Sequence, residues 1–121
     1  MKPILHAALL YAFVSTCCAQ DSPLLLRANE VSTPAGDMKD EANAAALLRV
    51  QVLLDRAQFG TGEIDARWGS NTERAIAAFQ RSRELEATGG IDDATWRALN
   101  TDTAPVLVEY RLTAQDVAGP Y

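Results

Sequence analysis

The side chains able to do chemistry lie between Glu63 and Asp93. Two pairs of acids borne on glycine turns stand out there, Glu63 with Asp65 and Asp92 with Asp93. Between Ala66 and Arg83 stand Arg67, Arg74, Arg81 and Arg83 against Glu73 alone. Paired carboxylates can share the acid and base work of glycoside hydrolysis. Here each pair falls in a turn of the same kind, Gly62-Glu63-Ile64-Asp65 and Gly89-Gly90-Ile91-Asp92, where a carboxylate ordinarily accepts backbone amides or caps the next helix. A structural role for Asp65 and Asp92 is therefore preferred over a catalytic one. Nucleophilic catalysis lacks a base, because the only histidine, His6, and the only cysteines, Cys17 and Cys18, sit at the front of the chain. A zinc site would have carboxylates alone, an uncommon ligand set for that metal. The sequence thus predicts a binding protein rather than an enzyme, with no catalytic residue, metal or cofactor. Its arginine cluster suits carboxylate ligands, since the planar guanidinium grips a carboxylate with two bonds.

The front of the chain is read as a targeting segment. Residues 1–19 open with Lys2, run through the apolar stretch from Ile4 to Val14 and close on Ser15, Thr16, Cys17, Cys18 and Ala19. That order is the one of a secretory signal peptide cleaved after Ala19. The apolar stretch falls short of the roughly 20 residues of a membrane span. Acylation at Cys17 or Cys18 is the lesser alternative, because Thr16 and Cys17 poorly match the small residue that precedes a lipidated cysteine. Cleavage would leave a mature chain with no thiol, no imidazole and no disulfide, so its core must hold the fold unaided. It would also remove Lys2 and move the formal charge from -5 to -6. Such an acidic chain is a poor partner for nucleic acid or anionic lipid, which require clustered Lys and Arg.

The elements that must position the arginines and acids follow in order. Residues 20–39 mix Ser, Pro, Asn, Thr and Gly around Leu24, Leu25 and Leu26 and read as a linker, in which the leucines form at most a short docking turn. From Asp40 to Gln58, Leu47, Val50, Leu54 and Ala57 recur at helical spacing, with Leu53 widening the stripe. Asp37 or Asp40 is placed to cap the start and Gly60 lies past the end. Gly60, Gly62, Ile64, Asp65 and Gly69 mark turns, and Ser70 to Glu73 spells a capping box. The helix it would start carries Thr72, Ala75, Ile76 and Phe79 on one face. Ala87 to Gly90 turns again, and Asp92 or Asp93 caps a third helix through Leu99, with Ile91 and Trp96 in the two staple positions. The stretch from Gly62 to Ile76 echoes that from Gly89 to Leu99, as one turn-and-helix unit used twice. Beyond it, residues 102–121 form an extended tail. Pro105 to Leu112 has strand-like residues but no strand to pair with, so the tail reads as the start of a further C-terminal region.

In order and spacing, Val50, Gln51, Leu54, Phe59, Gly62, Ile64, Asp65, Gly69, Thr72, Ala75, Ile76, Phe79, Gln80, Leu85, Gly89, Ile91, Thr95 and Leu99 resemble the peptidoglycan-binding domain 1 family. The resemblance covers residues 44 to 100, implies an all-α, small three-helix module, and places a peptidoglycan-binding domain at residues 40–101. Two positions depart from the family pattern: Gln58 and Ala66 stand where a glycine is usual. The tail from Tyr110 to Tyr121 is similar, more weakly, to the segment that leads into the catalytic half of bacterial L,D-transpeptidases. The alternative reading is accordingly an N-terminal fragment of such an enzyme without its catalytic Cys and His.

The resemblance implies non-covalent attachment to the glycan or the stem peptide of peptidoglycan, and a periplasmic or cell-wall location. The candidate contacts are Arg67 and Arg74 for stem-peptide carboxylates, Trp68 for a sugar face or peptide stem, and Asp65 and Gln80 beside them. Asp65 belongs equally to its turn, and Gln80 either pairs backbone groups or faces the ligand. The competing reading leaves the arginines solvated and Trp68 plugging the top of the core. Trp96, Ile64, Ile76 and Phe79 are assigned to packing.

Overall fold

The computed structural model of the chain describes residues 23–30 and 36–119. Residues 1–19, read from the sequence as a targeting segment, with His6, Cys17 and Cys18, lie outside the described residues. Among the described residues five α-helices follow one another: α1 (Pro23–Glu30), α2 (Ala44–Arg56), α3 (Ser70–Ser82), α4 (Asp93–Leu99) and α5 (Ala114–Ala118), with a 3₁₀ turn at Glu41–Asn43 leading into α2. No strand occurs among the described residues, and the architecture is all-α.

Helix α2 is the central element. A helix buried on one stripe alone would carry polar residues over the rest of its surface. Instead Ala45, Ala46, Leu47, Leu48, Val50, Leu53 and Leu54 are all buried. Three neighbours account for this, since α1, α3 and α4 each pack against α2. Helix α3 contributes Ala75, Ile76 and Phe79, and α4 contributes Trp96 and Leu99. The Phe59 and Phe79 rings meet edge to face with centroids 5.6 Å apart.

The segment read as a linker behaves differently at Pro23–Glu30, where it folds as α1 and covers a face of α2. The leucines are not its main anchor, for Leu24 and Leu26 are exposed and Ala28 is the residue that is fully buried. A small side chain lets the two helices approach closely. The buried guanidinium of Arg49 reaches across to the Ala28 carbonyl at 3.2 Å and to Asn100 Oδ1 at 2.5 Å, joining α1, α2 and the end of α4. Asn29 of α1 then holds the tail. Its Oδ1 accepts from the amides of Val106 at 2.8 Å and Leu107 at 3.1 Å, and its Nδ2 donates to the Leu107 carbonyl at 2.8 Å. This side chain does for the tail what a neighbouring strand would have done, and Val106 is buried as a result. The strand-like pattern of Pro105 to Leu112 ends in no strand. Val108, Tyr110 and Leu112 are exposed, and α5 follows with a Thr113 and Asp116 capping box.

The helix ends revise three further expectations. Ser70 is the first helical residue of α3 rather than its cap; Gly69 holds that position in an extended conformation and no side chain caps the helix. Asp40 precedes the 3₁₀ turn but makes no side-chain cap bond, while Asn43 Nδ2 donates to the Asp37 carbonyl at 2.8 Å. Ile64, assigned to packing, is 43% exposed, because the turn that holds Asp65 faces its neighbour outward. Asp92 caps α4 as expected, accepting from the Thr95 amide at 2.7 Å. Trp96 is buried, and Ile91 packs against the core beside it.

The two departures from the glycine pattern both fall where glycine is physically favoured. Gln58 has φ 68° and Ala66 has φ 59°, and Glu84 has φ 56°. Gln58 and Glu84 end α2 and α3 in the same way. Phe59 N–H donates to Leu54 carbonyl at 2.8 Å with Gln58 N–H on Asp55, and Leu85 N–H donates to Gln80 carbonyl at 2.9 Å with Glu84 N–H on Arg81. This doubly bonded ending requires a left-handed residue. A side chain there costs about 1–2 kcal/mol of strain, less the extra chain entropy of roughly 0.5–1 kcal/mol that a glycine loses on folding. Gln58→Gly and Ala66→Gly are each expected to raise stability by about 0.5–1 kcal/mol, read as a higher urea midpoint at an unchanged slope.

Candidate functional site

Each of the two turns ahead of a helix is tied to the preceding helix by one buried glutamine. Gln51 on α2 is 1% exposed. Its Oε1 accepts from the amides of Asp65 at 3.2 Å and Ala66 at 2.9 Å, while its Nε2 donates to the Arg67 carbonyl at 3.1 Å, to Asp65 Oδ1 at 3.3 Å and to Thr72 Oγ1 at 3.5 Å. Gln80 on α3 repeats the arrangement one unit later. Its Oε1 accepts from Gly89 N–H at 2.9 Å, and its Nε2 donates to the Gly90 carbonyl at 2.8 Å, Thr95 Oγ1 at 2.9 Å and Thr88 Oγ1 at 3.2 Å. The second turn is tight as well. Gly89 has φ 74°, and a Cβ there would lie 2.8 Å from Glu73 Cγ and 3.3 Å from the Glu73 carbonyl oxygen.

The five candidate contact residues separate on this geometry. Gln80 is wholly buried and its amide is used by the second turn, so it has no surface to offer a ligand. Asp65 is exposed, but its carboxylate accepts from the Arg67 amide at 2.9 Å as well as from Gln51. The Arg67 amide first, and the Gln51 side chain second, hold its pKa below the ordinary carboxylate value. Arg67 and Arg74 are exposed. Trp68 is half-buried: one part packs on the core, and Lys39 Nζ lies 5.7 Å from the ring centroid. Of the remaining arginines, Arg81 is exposed and Arg83 sits over the Phe79 ring at 5.4 Å.

Three concave surfaces meet around Trp68 and the start of α3. A cleft of about 430 Å³ is lined by Thr61, Glu63, Arg67, Trp68, Ser70 and Asn71, among others. Trp68 is also a wall of a second hollow, about 280 Å³, with Lys39, Glu73 and the Gly89 to Ile91 turn. Gly62 and Asn71 continue from the first cleft into a shallow groove of about 420 Å³ that carries Arg74 over Phe59, Ala75 and Ala78. The structure therefore brings Arg67, Trp68 and Arg74 onto one stepped surface. Lys39, Thr61, Glu73 and Asn71 belong to it too and were not among the candidate contacts read from the sequence. For Asn71 a signal existed, because it stands next to a helix start. For Lys39 none did, since its approach to Trp68 depends on how the chain folds back ahead of α2. Among the described residues no group of three or more His, Cys, Asp or Glu is placed to hold a metal ion.

Removing either glutamine leaves several backbone groups of its turn without a partner, at about 1–3 kcal/mol for each that stays buried. Gln51→Leu and Gln80→Leu are each expected to lower stability by about 2–4 kcal/mol, measured by urea unfolding. Acid gives a second test. The Thr95 side chain, then the Thr95 amide, lower the pKa of Asp92 as the Arg67 amide lowers that of Asp65, from an ordinary 3.8. A carboxylate whose folded pKa is depressed adds stability above its unfolded pKa and loses it as pH falls through the folded one. Stability should hold steady from neutrality down to about pH 5 and drop below about pH 4. The double variant Asp65→Asn, Asp92→Asn is expected to show a shallower acid limb in denaturation midpoints measured against pH.

Residues 43–99 match the sequence model of the family described as "Putative peptidoglycan binding domain". Over these residues the chain is similar to a family of binding domains. The matched segment runs from the residue before α2 to the last residue of α4, and so contains both glutamine-tied turns and the stepped surface apart from Lys39; the tail lies beyond it. No curated protein and no solved structure matches the chain.

Proposed function

We propose that, as the family of residues 43–99 implies, this protein binds peptidoglycan non-covalently and through it targets the bacterial envelope. In this reading residues 1–19 direct export, and the mature chain resides in the periplasm or at the cell wall. The observation that carries the binding reading is the continuity of the surface around Trp68. An aromatic ring shared by two hollows, with Arg67 on one side and Arg74 in the groove beyond, offers successive contacts along an extended polymer. Such contacts suit peptidoglycan, whose sugars present apolar faces to an aromatic ring and whose stem peptides present free carboxylates to guanidinium groups. An enclosed pocket would instead suit a small molecule. Held by Gln51 on the buried α2, the loop that bears Arg67 and Trp68 needs little reordering on binding.

Mixing the purified protein with insoluble sacculi and sedimenting them tests this directly. The protein is expected in the pellet, and recovery of all of it in the supernatant would overturn the proposal. Arg67 and Arg74 are exposed, so Arg67→Ala with Arg74→Ala should leave the thermal midpoint unchanged while weakening retention roughly tenfold, the worth of one charge-assisted contact.

A further inference from the structure

The N-terminus of α3 opens into the 430 Å³ cleft without a cap. Gly69 has no side chain to offer, and the first backbone bond of the helix runs from Glu73 N–H to the Gly69 carbonyl at 3.0 Å. The amides of Ser70, Asn71 and Thr72 precede that bond and so have no partner within the helix. Such an end carries roughly half a positive charge and favours an anionic group. A second, independent feature lies in the same cleft. Thr61 is only 3% exposed, and its hydroxyl oxygen is buried with no hydrogen-bond partner among the described residues. A buried hydroxyl is normally paired, and an unpaired one in a residue that lines a cleft points to a partner supplied from that cleft. Gly62, the next residue, turns the chain against α3, since a Cβ at Gly62 would lie 3.3 Å from Asn71 Nδ2. Thr61 and the helix end thus line the same cleft.

The cleft carries both signs of charge. Arg67 supplies a cation, and Glu63 and Asp65 supply carboxylates, of which Asp65 is already engaged by the Arg67 amide and Gln51. A simple anion seated at the helix end would meet both acids. A group that brings its own ammonium would not be repelled. We infer that this cleft binds an amino-carboxylate centre of the peptidoglycan stem peptide, with its carboxylate at the α3 amides, Thr61 and Arg67 and its ammonium toward Glu63. The inference rests on the peptidoglycan-binding reading and adds that the stem peptide, not the glycan, is what this cleft selects.

The test is a titration followed by amide nuclear magnetic resonance. The probe is the tetrapeptide L-Ala-γ-D-Glu-meso-diaminopimelate-D-Ala, whose third residue has a free amino-carboxylate end. Controls are the same peptide with that distal carboxylate amidated, and a peptide-free disaccharide of N-acetylglucosamine and N-acetylmuramic acid. The tetrapeptide should move the Thr61, Ser70, Asn71 and Thr72 resonances, and amidation should cost at least tenfold in affinity. Asn71→Asp puts a competing carboxylate at the helix end. It should weaken the tetrapeptide at least tenfold with the thermal midpoint unchanged or raised. Thr61→Val should weaken it several-fold without loss of stability. Retention on sacculi with no tetrapeptide binding, or with equal affinity for the amidated peptide, would overturn the inference and leave wall binding standing. Shifts at these four residues with the disaccharide alone would overturn it as well. Loss of sacculus binding by the unaltered protein would instead remove the reading on which the inference rests.

Discussion

Buried backbone that is neither helix nor sheet must find hydrogen-bond partners, and in this domain two glutamine side chains supply them. An amide side chain is the natural choice for the task, because it offers an acceptor and two donors at one point and can close on a turn from the inside. Gln51 holds two amides and a carbonyl of the turn ahead, Gln80 one amide and a carbonyl, and each also reaches a threonine hydroxyl of the helix that follows, Thr72 or Thr95. Turn, preceding helix and following helix are thus joined at one residue. The apolar core supplies most of the driving force for folding. The glutamines decide which loop geometry the core is compatible with, and everything exposed on the first turn, Arg67 and Trp68 included, inherits its position from Gln51.

The parts of the fold legible in the sequence were those with period or punctuation. Leu47, Val50 and Leu54 marked α2, Ala75, Ile76 and Phe79 marked α3, and Asp92 marked the start of α4; all of these lie where helical spacing and capping chemistry put them. The echo of the two turn-and-helix units was also visible, and its physical basis proves to be the pair of glutamines. What escaped were features that depend on contacts distant in sequence. Helix α1 has too weak a pattern to declare itself, and becomes a helix by packing Ala28 on α2 and donating Asn29 to a tail segment 77 residues away. Ser70 looked like a cap from its neighbour Glu73, yet the helix begins one residue earlier. Ile64 looked like core from its type alone.

Of the candidate site, the sequence revealed the residue types but not their directions. Asp65 lies in a turn and Gln80 on a helix bonded to one, and only their surroundings separate a surface carboxylate from a wholly enclosed amide. The arginines were visible as a local charge excess, whereas the hollow that Lys39 and Glu73 share with Trp68 joins residues from three separate parts of the chain. Gln58 and Ala66 show the same lesson from the opposite side. They looked like mere departures from a glycine pattern, and the backbone angles make them sites of strain that the rest of the domain sustains.

The clamp made by Asn29 has a mechanical consequence. Because its single side chain fastens Val106 and Leu107 to α1, the stretches of chain that flank the module are joined to one another at its base. A pull between those flanks reaches these three hydrogen bonds before it reaches α2, α3 or α4. Three hydrogen bonds are a smaller tie than the packing of α2 against α1, α3 and α4. The domain can therefore give up slack from its tail under tension while its helical core, and the turns mounted on it, remain assembled.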